Sequence, residues 1–189
     1  MAFLTEEQIK AMGFRHVGKN CLLSDKASYY NCKNISIGNN TRIDDFCVLS
    51  AGESGIIIGS YIHIAVYSSL IGAGKIVLND FCNISSRVAI YSSNDDYSGE
   101  FMTNPMVPSQ YTNVMSSDVI IGKHVIVGSG SVILPGVTLG TGVAVGALSL
   151  VNKSCSDFGI YIGTPAKKNK ERKRTLLKLE IELKNDGSI

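Results

Sequence analysis

Between Ile90 and Met102 the chain reads IYSSNDDYSGEFM, and several of these residues can do chemistry. Asp95, Asp96 and Glu100 place three carboxylates within a few positions of one another, beside the amide of Asn94. Clustered carboxylates attract an ammonium group, and one of them can orient an amine and accept its proton. The same residues also make turns, because Asn and Asp bond their own backbone two residues on, so a solvated acidic turn is the competing reading. Other reactive groups are sparse. His16, His63 and His124 are separated by 47 and 61 residues, which is not the spacing of a zinc site, and no metal is expected. The five cysteines, Cys21, Cys32, Cys47, Cys82 and Cys155, include no Cys-x-x-Cys pair. An odd number of unpaired thiols fits a reduced, cytoplasmic protein.

The elements that must hold this stretch are legible as a repeat. Stepping by six from Ile121 meets Val127, Ile133, Leu139, Val145 and Val151. The same step links Leu78, Ile84 and Ile90, then Ile58, Ile64 and Leu70, and Ile37, Ile43 and Leu49. Every position on this ladder is Ile, Leu or Val. Four residues after most of them comes a small or β-branched residue, among them Thr41, Ser68, Val88, Val125, Ser131 and Ser149. Cys47, Cys82 and Cys155 fall on this slot and read as small buried filler rather than nucleophiles. A period of six fits neither a helix nor simple strand alternation, but it fits a short strand and a tight turn, repeated. The count slips slightly at Leu49–Ile58 and Leu70–Leu78, and by a whole loop between Ile90 and Ile121. Insertions in such arrays map to loops on one face, often the binding face.

The ends differ from the repeat. Thr5-Glu6-Glu7-Gln8 is a capping box that opens a short helix, stopped by Gly13. Residues 1–14 therefore read as an N-terminal helical cap, 15–166 as the repeat with a loop over about 92–118, and 167–189 as a basic C-terminal helix with Leu176, Leu179 and Leu183 on one face. Residues 167–184 hold eight Lys or Arg against three Glu in a chain of net charge +2, so the basic character is local. The patch is short and lacks interleaved aromatics, which argues against nucleic-acid binding. No apolar run is long enough to span a membrane, and MAFLTEEQIK lacks the basic start and apolar run of a signal peptide.

The six-residue ladder resembles the hexapeptide repeat of the left-handed β-helix acyltransferases, over roughly residues 15–166. The resemblance implies an all-β, left-handed parallel β-helix, with the ladder residues stacked inside a triangular prism. The run SSRVAIYSSNDDYSGEF, with the later VIIGKHVIVGSGSVILPGV, is similar to the branch that acylates nucleotide-linked amino sugars, particularly dTDP-4-amino-4,6-dideoxyglucose. In sugar O-acetyltransferases of the family an Asn-His pair stands at the loop root, where the His is the general base. Here Asn94 matches the Asn, and Asp95 stands in the place of the His.

That replacement has chemical meaning. A sugar hydroxyl needs a base poised near neutrality, which an imidazole of pKa ~6.5 provides and a carboxylate near ~3.9 does not. A neutral amine attacks a thioester unaided, needing orientation and a destination for its proton. The resemblance therefore implies N-acetylation, with Asp95 and Ser86 catalytic, and Asn94, Asp96, Tyr97, Glu100 and Ser85 on the substrate. It further implies acetyl-CoA as acyl donor, lying in a groove near Ser131, Gly146 and Ala147. Lys167 and Lys168, in the run GTPAKK, would meet its phosphates. The expected partners are a dTDP-amino sugar, acetyl-CoA and two further copies in a homotrimer, serving O-antigen or another surface glycan. O-acetylation of a sugar hydroxyl and a non-enzymatic binding solenoid remain the alternatives.

Overall fold

A computed structural model describes residues 2–186. The hexads wind into a three-faced β-helix whose strands are two to four residues long and pair in parallel with the equivalent strands of the coils above and below. The first face runs from His16–Val17 through Ile35–Ile37, Ile56–Ile58, Ile76–Leu78 and Val119–Ile121 to Thr138–Leu139. The second runs from Leu22–Leu23 through Arg42–Ile43, His63–Ile64, Asn83–Ile84, Ile126–Val127 and Ala144–Val145 to Gly159–Ile162. The third runs from Ser28–Tyr30 through Val48–Ala51, Ser69–Gly72, Ala89–Tyr91 and Val132–Ile133 to Leu150–Val151.

The ladder residues form the interior. Each of those named above is at most 3% exposed, and the slot residues between them are buried as well. Each buried aliphatic side chain contributes about 1.5–3 kcal/mol of transfer free energy, and the contacts lie mainly between successive coils. The slot cysteines are inert for the same reason. Burial pushes the Cys82 thiol up to about 12, and those of Cys47 and Cys155 to about 11.

The N-terminal capping box forms as expected. The Gln8 amide donates to Thr5 Oγ1 (3.2 Å), and the Thr5 amide donates to Gln8 Oε1 (2.8 Å). The helix α1, Glu6–Ala11, follows, and Gly13 takes a φ of +69° just beyond it. Leu4, Ile9 and Phe14 pack against the core cluster of the first coils.

The basic tail differs from the single helix expected over 167–189. Lys167–Glu171 is a strand, antiparallel to Gly159–Ile162, and the helix α2 is confined to Leu176–Asn185. The last strand of the second face would otherwise leave a row of unpaired amides and carbonyls, and pairing with that edge outweighs the weak local preference of KKNKE for helix. Residues 187–189 lie outside the described residues. Of the leucines expected on one face, Leu176 and Leu183 are half-buried but Leu179 is exposed.

An ionic cluster fastens α2 to the prism. Glu180 accepts from Lys123 Nζ (2.5 Å) and lies within reach of Lys184 Nζ (2.6 Å) and His124 Nε2 (2.6 Å). Lys123 first, then Lys184, with His124 adding, hold the Glu180 carboxyl down at about 2. A carboxyl depressed on folding stabilises at pH above its unfolded value, near 4.5, and that stabilisation is lost as pH falls toward 2. Limited proteolysis should therefore cut ahead of α2 faster as pH drops through this window. Glu180→Gln should show the faster cutting already at neutral pH.

Candidate active site

The interrupted stretch is a loop extruded where the third face turns into the first. Its two arms pair antiparallel, Ser93 with Ser116 and Asn94 with Met115. The root is clamped. Ser92 is fully buried, its hydroxyl donates to the Gly74 carbonyl (2.6 Å), and its own carbonyl accepts from the Ser117 amide (3.0 Å). The clamp needs glycine beside it: Gly72 sits at a φ of +148°, and a Cβ there would lie 2.3 Å from Ser92 Oγ. The Lys75 amide donates to Asp118 Oδ1 (2.8 Å), securing the returning arm.

Against this root lies a cavity of about 320 Å³ lined by Asn94, Asp95, Asp96, Tyr97, Met115, Ser116, Ser117 and Pro135. Four of the expected site residues thus share one depression. Asp95 is exposed to it. Asp96 is engaged differently: its Oδ2 accepts from the Ser98 hydroxyl (2.7 Å), the Ser98 amide (3.1 Å) and the Gly99 amide (3.1 Å). The Ser98 hydroxyl above all holds the Asp96 carboxyl below its ordinary value. Asp96, expected on substrate, therefore spends that oxygen on the turn. Glu100 is exposed and does not line the cavity, and Tyr97 is 91% exposed.

Ser85 and Ser86 lie elsewhere, at the corner between the second and third faces. The Ser85 amide donates to the Val127 carbonyl (3.0 Å), and the Gly128 amide donates in the same way to Val145 (2.8 Å). Ser85, Gly128 and Gly146 thereby form one column along the prism, with Ser86, Ser129 and Ala147 beside it. Gly128 is required there, since a Cβ would meet the Ala147 amide nitrogen at 2.5 Å. The column is a smooth edge against which a slender ligand can reach backbone.

Ser131, expected on that edge, turns its side chain into the prism. It is fully buried; its hydroxyl donates to the Gly146 carbonyl (2.9 Å) and accepts from the Ser149 amide (3.2 Å). Its side chain ties two coils together and faces inward, as its place on the slot dictates. Lys167 and Lys168 are exposed on the antiparallel strand, where Lys168 Nζ meets Glu171 Oε1 at 2.5 Å. His124 is not on this edge: it stacks on Phe81 at 5.0 Å between ring centroids, under α2. Ser92, Met115 and Ser117 carry no signal in the sequence, because pairing between the loop arms follows no period.

Comparison with known proteins bears on this geometry. The family model for bacterial transferase hexapeptide (six repeats) matches residues 118–153. The chain is 61% identical, over 97% of its length and 96% of the relative, to a dTDP-4-amino-4,6-dideoxy-D-glucose acyltransferase of Escherichia coli. It belongs to the hexapeptide-repeat acyltransferases. Among solved structures of these acyltransferases, the N-acyltransferase AntD from Bacillus cereus, in complex with dTDP and 3-hydroxybutyryl-CoA, superposes with a TM-score of 0.94. It has 49% identity and covers 99% of this chain and 98% of that one. Serine variants of AntD have also been solved with dTDP-4-amino-4,6-dideoxyglucose and coenzyme A. Its variants alter one serine and one aspartate that stand ten positions apart, the interval between Ser85 and Asp95 here. A maltose O-acetyltransferase from Clostridium difficile 630, with a TM-score of 0.60 and 21% identity over 89% of this chain and 75% of that one, shares the acyltransferase fold alone.

Proposed function

We propose that the protein transfers an acyl group, acetyl in the simplest case, from its CoA thioester to the 4-amino group of dTDP-4-amino-4,6-dideoxyglucose. The observation that carries this reading is Asp95, a carboxylate and not an imidazole, open to the cavity at the clamped loop root. The named activity of the Escherichia coli relative and the ligands of AntD support it.

In this reading the neutral amine attacks the thioester carbonyl carbon, and a tetrahedral adduct forms. Asp95 orients the amine and takes its proton. The carbon–sulfur bond then breaks, and the thiolate leaves with a hydrogen bond from a serine hydroxyl. Ser85 suits that last role better than Ser86, because it stands in the column with Gly128 and Gly146 and at the ten-residue interval from Asp95. The pantetheine arm lies along Gly128, Gly146 and Ala147, and Lys167 and Lys168 meet the phosphates. Asn94 and Tyr97 flank the sugar.

The reading also requires more than one copy of the chain. Ser85 stands at one edge of the third face and Asp95 beyond the other. A strand crossing of some six residues, about 20 Å, separates them. One active site then draws Ser85 from one subunit and Asp95 from its neighbour, as in a cyclic homotrimer. We place the reaction in the cytoplasm, with its product entering O-antigen or another surface glycan. Thiol release from acetyl-CoA and longer acyl-CoAs, measured across nucleotide-linked amino and hydroxy sugars, tests the reading. Turnover is expected with the 4-amino sugar; turnover of hydroxyl acceptors alone would refute it.

A further inference from the structure

The column through Ser85 continues into the earlier coils, where its character changes. The Asp44 amide donates to the Ile64 carbonyl (2.9 Å) and the Ala65 amide to the Ile84 carbonyl (2.9 Å), so Asp44, Ala65 and Ser85 follow one another along the prism edge. On the far side of Ser85 the column is bare glycine. On this side it bears an ion cluster. Asp44 Oδ1 accepts from Arg42 Nε (2.6 Å), and Asp44 Oδ2 meets His63 Nε2 (2.9 Å). Burial by itself would raise the Asp44 carboxyl, but hydrogen bonds from His63 and Arg42 overcome it and keep the carboxyl below its ordinary value. The carboxylate is buried, with its side chain 8% exposed, while the guanidinium and imidazole side chains stay 47% and 42% exposed. The anion is thus covered by its two partners, which stay open to solvent.

Spacing relates this cluster to the reacting groups. Arg42 pairs with His63, and His63 with Asn83, which immediately precedes Ile84 and Ser85. Coils in parallel register lie about 4.8 Å apart, so His63 is one coil and Arg42 two coils from the Ser85 level. Ala65, the member of the column between Asp44 and Ser85, is buried and ends in a methyl group, so it places no bulky or charged side chain between them. A pyranose whose C4 amine lies at the Ser85 level carries its anomeric oxygen across the ring, about one coil away. The glycine side of the column suits the acyl donor, so the sugar nucleotide approaches from the charged side.

We infer that Arg42 and His63, held by Asp44, form the subsite for the diphosphate of the nucleotide-linked sugar. This deepens the reading proposed above and rests on it. The guanidinium fork is a donor suited to phosphate oxygens, and the imidazole, with Nε2 on Asp44, donates from Nδ1 when the ring carries both protons. Asp44 fixes both before the ligand arrives, so little side-chain freedom is lost on binding. The sugar ring then passes over Ala65 toward Ser85.

Calorimetric titration of the whole protein with dTDP and, separately, with CoA tests the assignment in wild type, His63→Gln and Arg42→Gln. Each substitution should weaken dTDP binding about tenfold or more and leave CoA binding unchanged, and wild-type affinity for dTDP should fall as salt is raised. Unchanged dTDP affinity in both variants would overturn the subsite. Parallel loss of dTDP and CoA binding would do the same, by revealing a purely structural cluster. A wild-type protein that binds CoA but not dTDP would instead remove the nucleotide-sugar reading itself, and the subsite with it.

Discussion

Asp95→Asn should lower turnover by roughly 10²–10⁴, the range that a positioned proton acceptor contributes, while CoA still binds. Asparagine keeps the shape of the side chain and its tolerance of a turn, but it cannot accept the proton released as the amine becomes an amide. Asp95 is exposed and outside the core, so the melting temperature should barely move. Steady-state thiol release with saturating acetyl-CoA, alongside a CoA titration, reads both quantities. Asp96→Asn is the informative contrast. Its Oδ2 serves Ser98 and Gly99, so the loss should fall mainly on the order of the turn and be far smaller. Near-normal turnover by the Asp95 variant would remove the carboxylate from the chemistry and with it the case for a nitrogen nucleophile.

A second large effect is expected from mixing two inactive proteins. Ser85→Ala should lose about 10²–10³ in turnover, the usual cost of removing one preorganised hydrogen-bond donor from a developing charge. Asp95→Asn loses as much or more. Each variant nevertheless retains the residue that the other lacks. If the site is shared across a seam, co-refolding equal amounts should rebuild sites having Ser85 from one subunit and Asp95 from the next. Random mixing in a cyclic assembly makes about one seam in four fully wild type, so about a quarter of the normal activity should return. A site contained in one chain predicts no recovery, since every chain carries one of the two defects. The approximately 20 Å that a strand crossing places between the two residues favours recovery.

Much of this molecule is written in the period of its residues. The step of six from Ile37 to Val151 named the buried ladder, and the offset of four named the slot that takes Cys47, Ser68, Cys82 and Ser149, all of them buried. That is legible because a solenoid sets each residue's environment by its place in the repeat and by its nearest neighbours. The same count put Ser131 inside, and its buried hydroxyl obeys the count and not its expected place on the cofactor groove. The start of the loop and its acidic content were equally plain, since a broken period is as visible as an intact one. The tail was not. KKNKE resembles a helix locally, but the exposed edge of Gly159–Ile162 draws it into a strand, and no window of the tail alone contains that edge.

Sequence by itself thus determined the prism, its interior and the position at which an acidic loop leaves it, because those follow from short-range periodicity. Only the tertiary structure decided which of the polar residues keep company. It gave Asp96 to its own turn, set Asp44 between Arg42 and His63, and put Ser85 and Asp95 on opposite edges of one face. Those outcomes depend on distances across coils and around corners, and a linear count of residues carries no measure of either.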